Sequence, residues 1–268
     1  MKSFIVLENK KLSKVIFSYC DDLSYSSFRK ALRNKDIKIN GVRISSDVLL
    51  NAGDKVEIYY TPTAIESYST IYADENILVV DKKSGFSSEK VFEDVQKKYQ
   101  TAGFIHRLDT FTSGIMVFSL NIEAEKELLL GFKNRTFIKE YQADVIGKLQ
   151  KKQQVLEGYL VKDKINSIVK VFDNEVKGSV YIKTGYKVIE EREETTLLRV
   201  TLYTGKTHQI RAHLAHIGHP IVGDGKYGDN QFNKRVKASS QRLSSVRLVL
   251  KFNEKDKLYY LNDKEFKI

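Results

Sequence analysis

Between Gly103 and Phe118 the chain reads G-F-I-H-R-L-D-T-F-T-S-G-I-M-V-F, and this stretch constrains the fold more than any other. Ile115 to Phe118 are aliphatic, sulfur-bearing or aromatic, so they read as a buried strand. Directly before them, His106 to Gly114 hold an imidazole, a guanidinium, a carboxylate, three hydroxyls and a glycine. Regular strands and helices rarely need that mixture, whereas loops that carry chemistry often do. The fold must therefore hold a polar, reactive loop at the mouth of a buried strand. Asp109 is the carboxylate of that loop, and Arg107, two residues earlier, is placed to pair with it and orient it. From local chemistry alone, a structural ion pair in a turn is as good a reading as a reactive carboxylate.

Charge narrows the partners. With 45 Lys and Arg against 34 Asp and Glu, the net charge is +11, and it is spread along the chain rather than piled in a tail. A polyanionic partner is expected, nucleic acid before an acidic membrane. A hydrophobic fraction of 41% over 268 residues is enough for one large domain or two unequal ones. Cys20 is the only cysteine, so no internal disulfide and no cysteine-based zinc cluster can form, which fits a reducing cytosol. The N-terminal apolar run is too short for a signal peptide, and nowhere is there the ~18-residue apolar stretch that a membrane span needs.

Residues 1–60 read as a small domain, 61–70 as a linker and 71–268 as a second domain. Leu12, Val15, Ile16 and Tyr19 recur at helical spacing, which predicts an amphipathic helix from Lys11 to Tyr19. Ser26 or Ser27 is expected to cap a second helix, Phe28 to Asn34, with Phe28, Ala31 and Leu32 inward and Arg29, Lys30 and Arg33 outward. Asn40-Gly41 joins two alternating half-strands, Ile37 to Ile44, and Ala52-Gly53-Asp54 turns into a strand from Lys55 to Tyr60. This order is similar to the S-four-type RNA-binding domain. The resemblance implies that Arg29, Lys30, Arg33, Lys35 and Lys38 face RNA phosphates, although a merely solvated basic face suits any one of them taken alone.

Further on, Ile77 to Val80 read as a buried strand, Ser88 to Tyr99 as a helix with Val91, Phe92 and Val95 inward, and Glu123 to Phe132 as a helix carrying Leu128, Leu129 and Leu130. Tyr141, Ala143 and Val145 alternate with polar residues, which places Tyr141 on the apolar side of a strand. Residues 148–194 look like β-hairpins and carry no functional reading. Leu197 to Tyr203 read as a strand leading into T-G-K-T-H-Q-I-R-A-H-L-A-H-I-G-H-P-I-V-G-D-G-K-Y-G, which holds His208, His213, His216 and His219. A zinc hydrolase built on these histidines is the weaker reading, because there is no nearby Cys or H-E-x-x-H and Arg211 would oppose the metal.

Three motifs carry one resemblance. H-R-L-D-x-x-T-S-G at His106–Gly114, R-x-x-x-K-x-Y-x-A-x-V-x-G from Arg135 to Gly147, and the segment Gly205–Gly228 resemble the RluA-type pseudouridine synthases. The likeness runs from Leu12 to Leu243. It departs where Ser84 stands in the place of a usual proline before Gly85, and where Ser245-Val246 replace a His-Ala pair, a change expected to affect local packing only. The family implies an α+β chain, with the catalytic domain built on a mixed, mostly antiparallel sheet flanked by helices. It implies an isomerase that converts uridine to pseudouridine in structured RNA without metal or other cofactor. A cytoplasmic location is expected, and a monomer is the default. Asp109 would be the catalytic carboxylate, by attack on the sugar, attack on the base or removal of a sugar proton. Tyr141 would stack on the target base, and Arg211 would be the buried guanidinium paired with the carboxylate. His106 and Arg107 would fill the gap left by the base or hold phosphates. Asp224 and Tyr227 would be structural or peripheral. Large-subunit ribosomal RNA is favoured as substrate over transfer RNA. A non-catalytic RNA-binding assembly factor is the rival from another class.

Overall fold

The computed structural model describes residues 1–20, 23–60, 66–163 and 168–268. They fall into two compact units, Met1–Glu66 and Ser67–Ile268.

The first unit contains β1 (Lys2–Ile5), β2 (Lys10–Lys11), α1 (Leu12–Tyr19), α2 (Tyr25–Asn34), β3 (Ile37–Ile39), β4 (Val42–Ile44), β5 (Leu49–Leu50) and β6 (Lys55–Ile58). The main sheet has the order β1-β6-β3-β4, and β2 pairs with β5. Leu12, Val15 and Ile16 of α1 and Phe28, Ala31 and Leu32 of α2 share one apolar core with Ile37, Val56 and Ile58. Tyr19 is not part of it; the ring is exposed and stacks on Phe4 at 4.3 Å. The cap of α2 is Ser24 rather than Ser26 or Ser27. Its backbone is extended and its Oγ accepts the Ser27 N–H, so the helix starts at Tyr25, ahead of Phe28. Asn40 and Gly41 both have positive φ, 49° and 82°, as a two-residue hairpin turn requires.

The second unit contains β7 (Tyr68–Ala73), β8 (Ile77–Lys82), α3 (Ser88–Lys98), β9 (Gly103–Phe104), β10 (Ser113–Ser119), α4 (Ile122–Asn134), β11 (Ile138–Ile146), β12 (Gln153–Asp163), β13 (Ile168–Phe172), β14 (Val180–Glu191), β15 (Thr195–Leu202), α5 (Gln209–His216), α6 (Asn230–Arg235), β16 (Leu243–Val249) and β17 (Glu265–Lys267). Of the expected linker, residues 61–65 lie outside the described ones. Tyr68 to Thr70 belong to β7, because they pair with Val80 to Lys82 of β8. The sheet runs β13-β12-β14-β15-β11-β16-β10-β8-β7, with β17 on β16 and β9 on β10. β10 and β16 are parallel, and the other described pairs of this sheet are antiparallel. The architecture is α+β with a mixed, mostly antiparallel sheet.

Alternation along the central strands feeds two cores. Leu78, Val80, Met116 and Phe118 pack with Val91 and Val95 of α3 and with Ile210 and Leu214 of α5. Ile77, Val79, Ile115 and Val117 pack with Ala124 and Leu128 of α4. Leu129 and Leu130 stay 42% and 52% exposed. Gly114 marks where β10 meets β16. It has φ 109°, and a Cβ there would stand 2.1 Å from the Ser245 carbonyl oxygen, so only glycine lets the strands approach. β12, β13 and β14 pair antiparallel and extend the sheet beyond β15.

Candidate active site

The second unit holds a cavity of about 520 Å³ between the 105–112 loop, the end of α4, the start of β11 and the 202–211 segment that enters α5. The 105–112 loop is pinned from below. Ser88 Oγ accepts the Leu108 N–H and donates to the Leu108 carbonyl, both at 2.8 Å. Lys82 is fully buried, and its Nζ donates to the carbonyls of Lys83, Phe86 and Thr110 at 3.1, 2.7 and 3.1 Å. Burial pulls the Lys82 pKa down to about 7 against the opposing pull of Asp109. Three carbonyl acceptors match the three N–H donors of the ammonium form. The chain turns at Gly85, with φ 95°, and Ser84 Oγ donates to the Phe111 carbonyl at 2.9 Å, a bond that a proline could not make.

Asp109 faces this cavity and is paired across the fold, not within its own turn. Arg211 Nη1 donates to Asp109 Oδ2 at 2.7 Å. Arg107 is exposed and lies 3.5 Å from Glu89. On its other side Arg211 is held by Asp224, with Nε to Oδ2 at 2.7 Å and Nη2 to Oδ1 at 2.9 Å. Asp224 has no exposed surface, and its Oδ1 also accepts the N–H groups of Lys226 and Tyr227. Burial works against both charges. The bond between them outweighs it, keeping the Arg211 pKa above its usual value and the Asp224 carboxyl below the usual carboxylate range. Asp224 is thus the outer member of a carboxylate–guanidinium–carboxylate series, a structural residue behind the cavity lining. Its pairing with Arg211 is not legible in the spacing, because it stands 13 residues away in a turn that only the fold closes.

Tyr141 lies beside Asp109 in the cavity wall and is 7% exposed. Burial pushes its phenol up to about 12, opposed by a hydrogen bond with Ser245 and helped by the Asp109 charge. Ser245 pairs with Tyr141 in the β11–β16 register, so the Ser245-Val246 departure falls beside the cavity. His106 also lines the cavity. Its Nε2 accepts the Val117 N–H at 3.1 Å and its ring stacks on Phe132 at 4.4 Å. Burial, with help from Lys139, takes its pKa down to about 3, so it stays neutral. His208 Nε2 lies 3.9 Å from Asp109 Oδ2, while its Nδ1 bonds the Tyr227 hydroxyl at 2.9 Å. Neither His208 nor Tyr227 was expected near Asp109.

The family model described as RNA pseudouridylate synthase matches residues 75–216, more than half of the chain. The chain belongs to the RNA pseudouridylate synthase family. It is 31% identical over 249 residues to ribosomal large subunit pseudouridine synthase C of Escherichia coli, covering 82% of this chain and 77% of that one. It is 28% identical over 238 residues to the mitochondrial tRNA pseudouridine(32) synthase of Saccharomyces cerevisiae, covering 83% of this chain but 51% of that longer one. Its fold is similar to that of human RNA pseudouridylate synthase domain containing 1, with a TM-score of 0.62 at 24% identity over 70% of this chain and 80% of that one. This pseudouridine synthase is therefore an isomerase acting on RNA.

The other candidate residues of the synthase belong to the first unit. Arg29, Lys30 and Arg33 are exposed on α2 of the first unit, and Lys38 sits 5.4 Å from the Tyr59 ring. The histidines do not converge. His213 is buried on Thr184 Oγ1 at 3.0 Å, whereas His216 reaches Asp173 at 2.9 Å. No group of three or more metal-ligating side chains occurs among the described residues. No described helix is long and apolar enough to cross a membrane.

Proposed function

We propose that this synthase modifies uridines of large-subunit ribosomal RNA, with Asp109 as the catalytic carboxylate, Arg211 as its partner and Tyr141 as the surface on which the target base stacks. The observation that carries the reading is Asp109 at the cavity wall, bonded by a guanidinium that Asp224 already fixes. Isomerisation breaks the bond between C1′ and N1 of uracil, turns the base and rejoins it through C5. Atoms and electrons balance within the nucleotide, so the protein must supply a placed carboxylate and a site that shields it from water. A carboxylate taken from water loses hydration, and the Arg211 bond replaces it. The base leaves its stack to reach Asp109, and the flat, buried Tyr141 ring offers it a new one.

Ribosomal RNA is favoured by the likeness to the bacterial large-subunit enzyme. Residues 1–60 act in this reading as a separate RNA-binding domain that holds phosphates through Arg29, Lys30, Arg33 and Lys38, with Arg107 adding a further cation at the catalytic domain. The protein works as a monomer in the cytoplasm. Transfer RNA is the second reading, favoured by the likeness to the yeast mitochondrial enzyme. A non-catalytic assembly factor is disfavoured, since it would have no need to keep Asp109, Tyr141 and Arg211 together.

The test is pseudouridine mapping of total RNA from cells with and without the gene, each rescued by wild type or by Asp109→Asn. Loss at a few ribosomal uridines, restored by wild type alone, is the expected outcome. Restoration by Asp109→Asn would overturn the assignment of the catalyst, and loss confined to transfer RNA would move the substrate to the second reading.

A further inference from the structure

The cavity is lined by six basic side chains, Arg107, Lys133, Arg135, Lys139, Lys206 and Arg211, against a single carboxylate, Asp109. Asp109 is taken by Arg211, and Arg107 faces Glu89. Among the described residues, Lys133, Arg135, Lys139 and Lys206 have no carboxylate within ion-pair distance. Three of these four come from one place, the end of α4 and the start of β11.

Lys139 is the least ordinary of them. It is half-buried, and its ammonium lies 5.3 Å from the centroid of Phe132, whose ring stacks on the neutral His106. Arg135 closes α4 in the left-handed conformation, with φ 60°, and is exposed at the cavity rim four residues earlier. Burial, and after it the Arg135 charge, hold the Lys139 pKa below the usual lysine value. A half-buried cation pressed by a second cation, without a counter-charge, is a costly arrangement that an anion would relieve.

We propose that Arg135 and Lys139 form a subsite for one backbone phosphate of the substrate RNA at the α4–β11 end of the cavity. The assignment rests on the pseudouridine synthase reading and adds to it the place where the strand is gripped. An ammonium and a guanidinium together suit the several oxygens of a phosphodiester. Lys139 stands two residues before Tyr141 on β11, and both line the cavity, so phosphate and base subsites are roughly 7 Å apart along the strand. The phosphate grip and the base platform are therefore parts of one rigid strand.

The experiment measures binding of a fluorescein-labelled hairpin RNA with a uridine-rich loop to the full chain across a salt series. Lys139→Gln and Arg135→Gln are each expected to weaken binding about fivefold at 0.1 M salt and to reduce the slope of log Kd against log salt, and the two changes together to reduce it by about 0.7, the share of one phosphate. Lys139→Arg keeps the charge and is expected to keep the slope. Lys177→Gln, an exposed change in a loop between β13 and β14, controls for net charge and is expected to leave both unchanged. If Lys139→Gln and Arg135→Gln shift binding no more than Lys177→Gln, or if Lys139→Arg loses the slope as fully as Lys139→Gln, the subsite is wrong. Pseudouridine formation by the wild type on ribosomal RNA is scored separately. A failure there overturns the activity reading, while the binding comparison decides the phosphate subsite.

Discussion

Arg211 Nη1 stands 2.7 Å from Asp109 Oδ2, although the two residues are 102 positions apart in the chain. The guanidinium reaches that oxygen with its remaining edge, because Asp224 occupies the Nε and Nη2 side. Two carboxylates thus share one planar fork, one fully buried and one open to the cavity. The buried member sets the angle at which the open member is held.

Asp224→Asn therefore tests orientation at a distance. It removes the charge that fixes Arg211 and leaves Asp109 untouched. A misplacement of about 1 Å costs on the order of 10²-fold in rate. The expected result is a single-turnover rate down by about that factor with RNA affinity retained. A variant that keeps the wild-type rate would show that Asp109 needs no such support.

Lys82→Met strips the donor from three carbonyls, those of Lys83, Phe86 and Thr110, in a fully buried spot. Each orphaned acceptor costs about 1–3 kcal/mol, tempered by relaxation and by removal of a buried charge, so a net loss of about 2–4 kcal/mol is expected. Urea titration followed by circular dichroism measures it. Unchanged stability would mean that the carbonyls find other donors.

Gly114→Ala places a methyl group 2.1 Å from the Ser245 carbonyl oxygen and 2.6 Å from its nitrogen, at a φ of 109°. Neither strand is free to move, since both are central in the sheet. The variant is expected to lose more than about 3 kcal/mol or to fail to fold. A melting temperature within a few degrees of wild type would contradict this packing.

His213 predicts an acid limb in the stability curve. Burial, and then the neighbouring His216 charge, bring its pKa down to about 4, against the opposing pull of Asp173 and the Glu157 backbone. The unfolded chain takes up the proton near 6.5, so between pH 6.5 and 4 the unfolded state binds more protons. The stability is present in full above pH 6.5 and is lost as pH falls through that window, by about 3 kcal/mol from this residue. His213→Gln should flatten the limb, leaving the part owed to His106, whose pKa is near 3. Equal acid sensitivity of wild type and His213→Gln in urea titrations at pH 7 and pH 4.5 would refute the assignment.

The sequence by itself determined what depends on near neighbours. The Asn40-Gly41 turn, the buried run Ile115 to Phe118 and the inward side of Tyr141 follow from turn chemistry and from a two-residue period, which act over a few residues. The motifs at His106, Arg135 and Gly205 were enough to point to the family. The three serines before Phe28 are alike in type, so the choice of Ser24 as cap required the backbone path. Only the tertiary structure decided the electrostatics. Arg107 is the nearest cation to Asp109 in sequence but turns to solvent and Glu89, while Arg211 arrives on α5. His106 is adjacent to Arg107 in sequence, yet burial makes it a neutral acceptor for the Val117 N–H. Lys82 and Asp224 carry charge into fully buried sites, where only partners from distant loops make that tolerable. The physical reason is that local conformation is set by bonded neighbours, whereas the worth of a charge is set by the water it loses and the partner it gains. Both of those are properties of the folded chain.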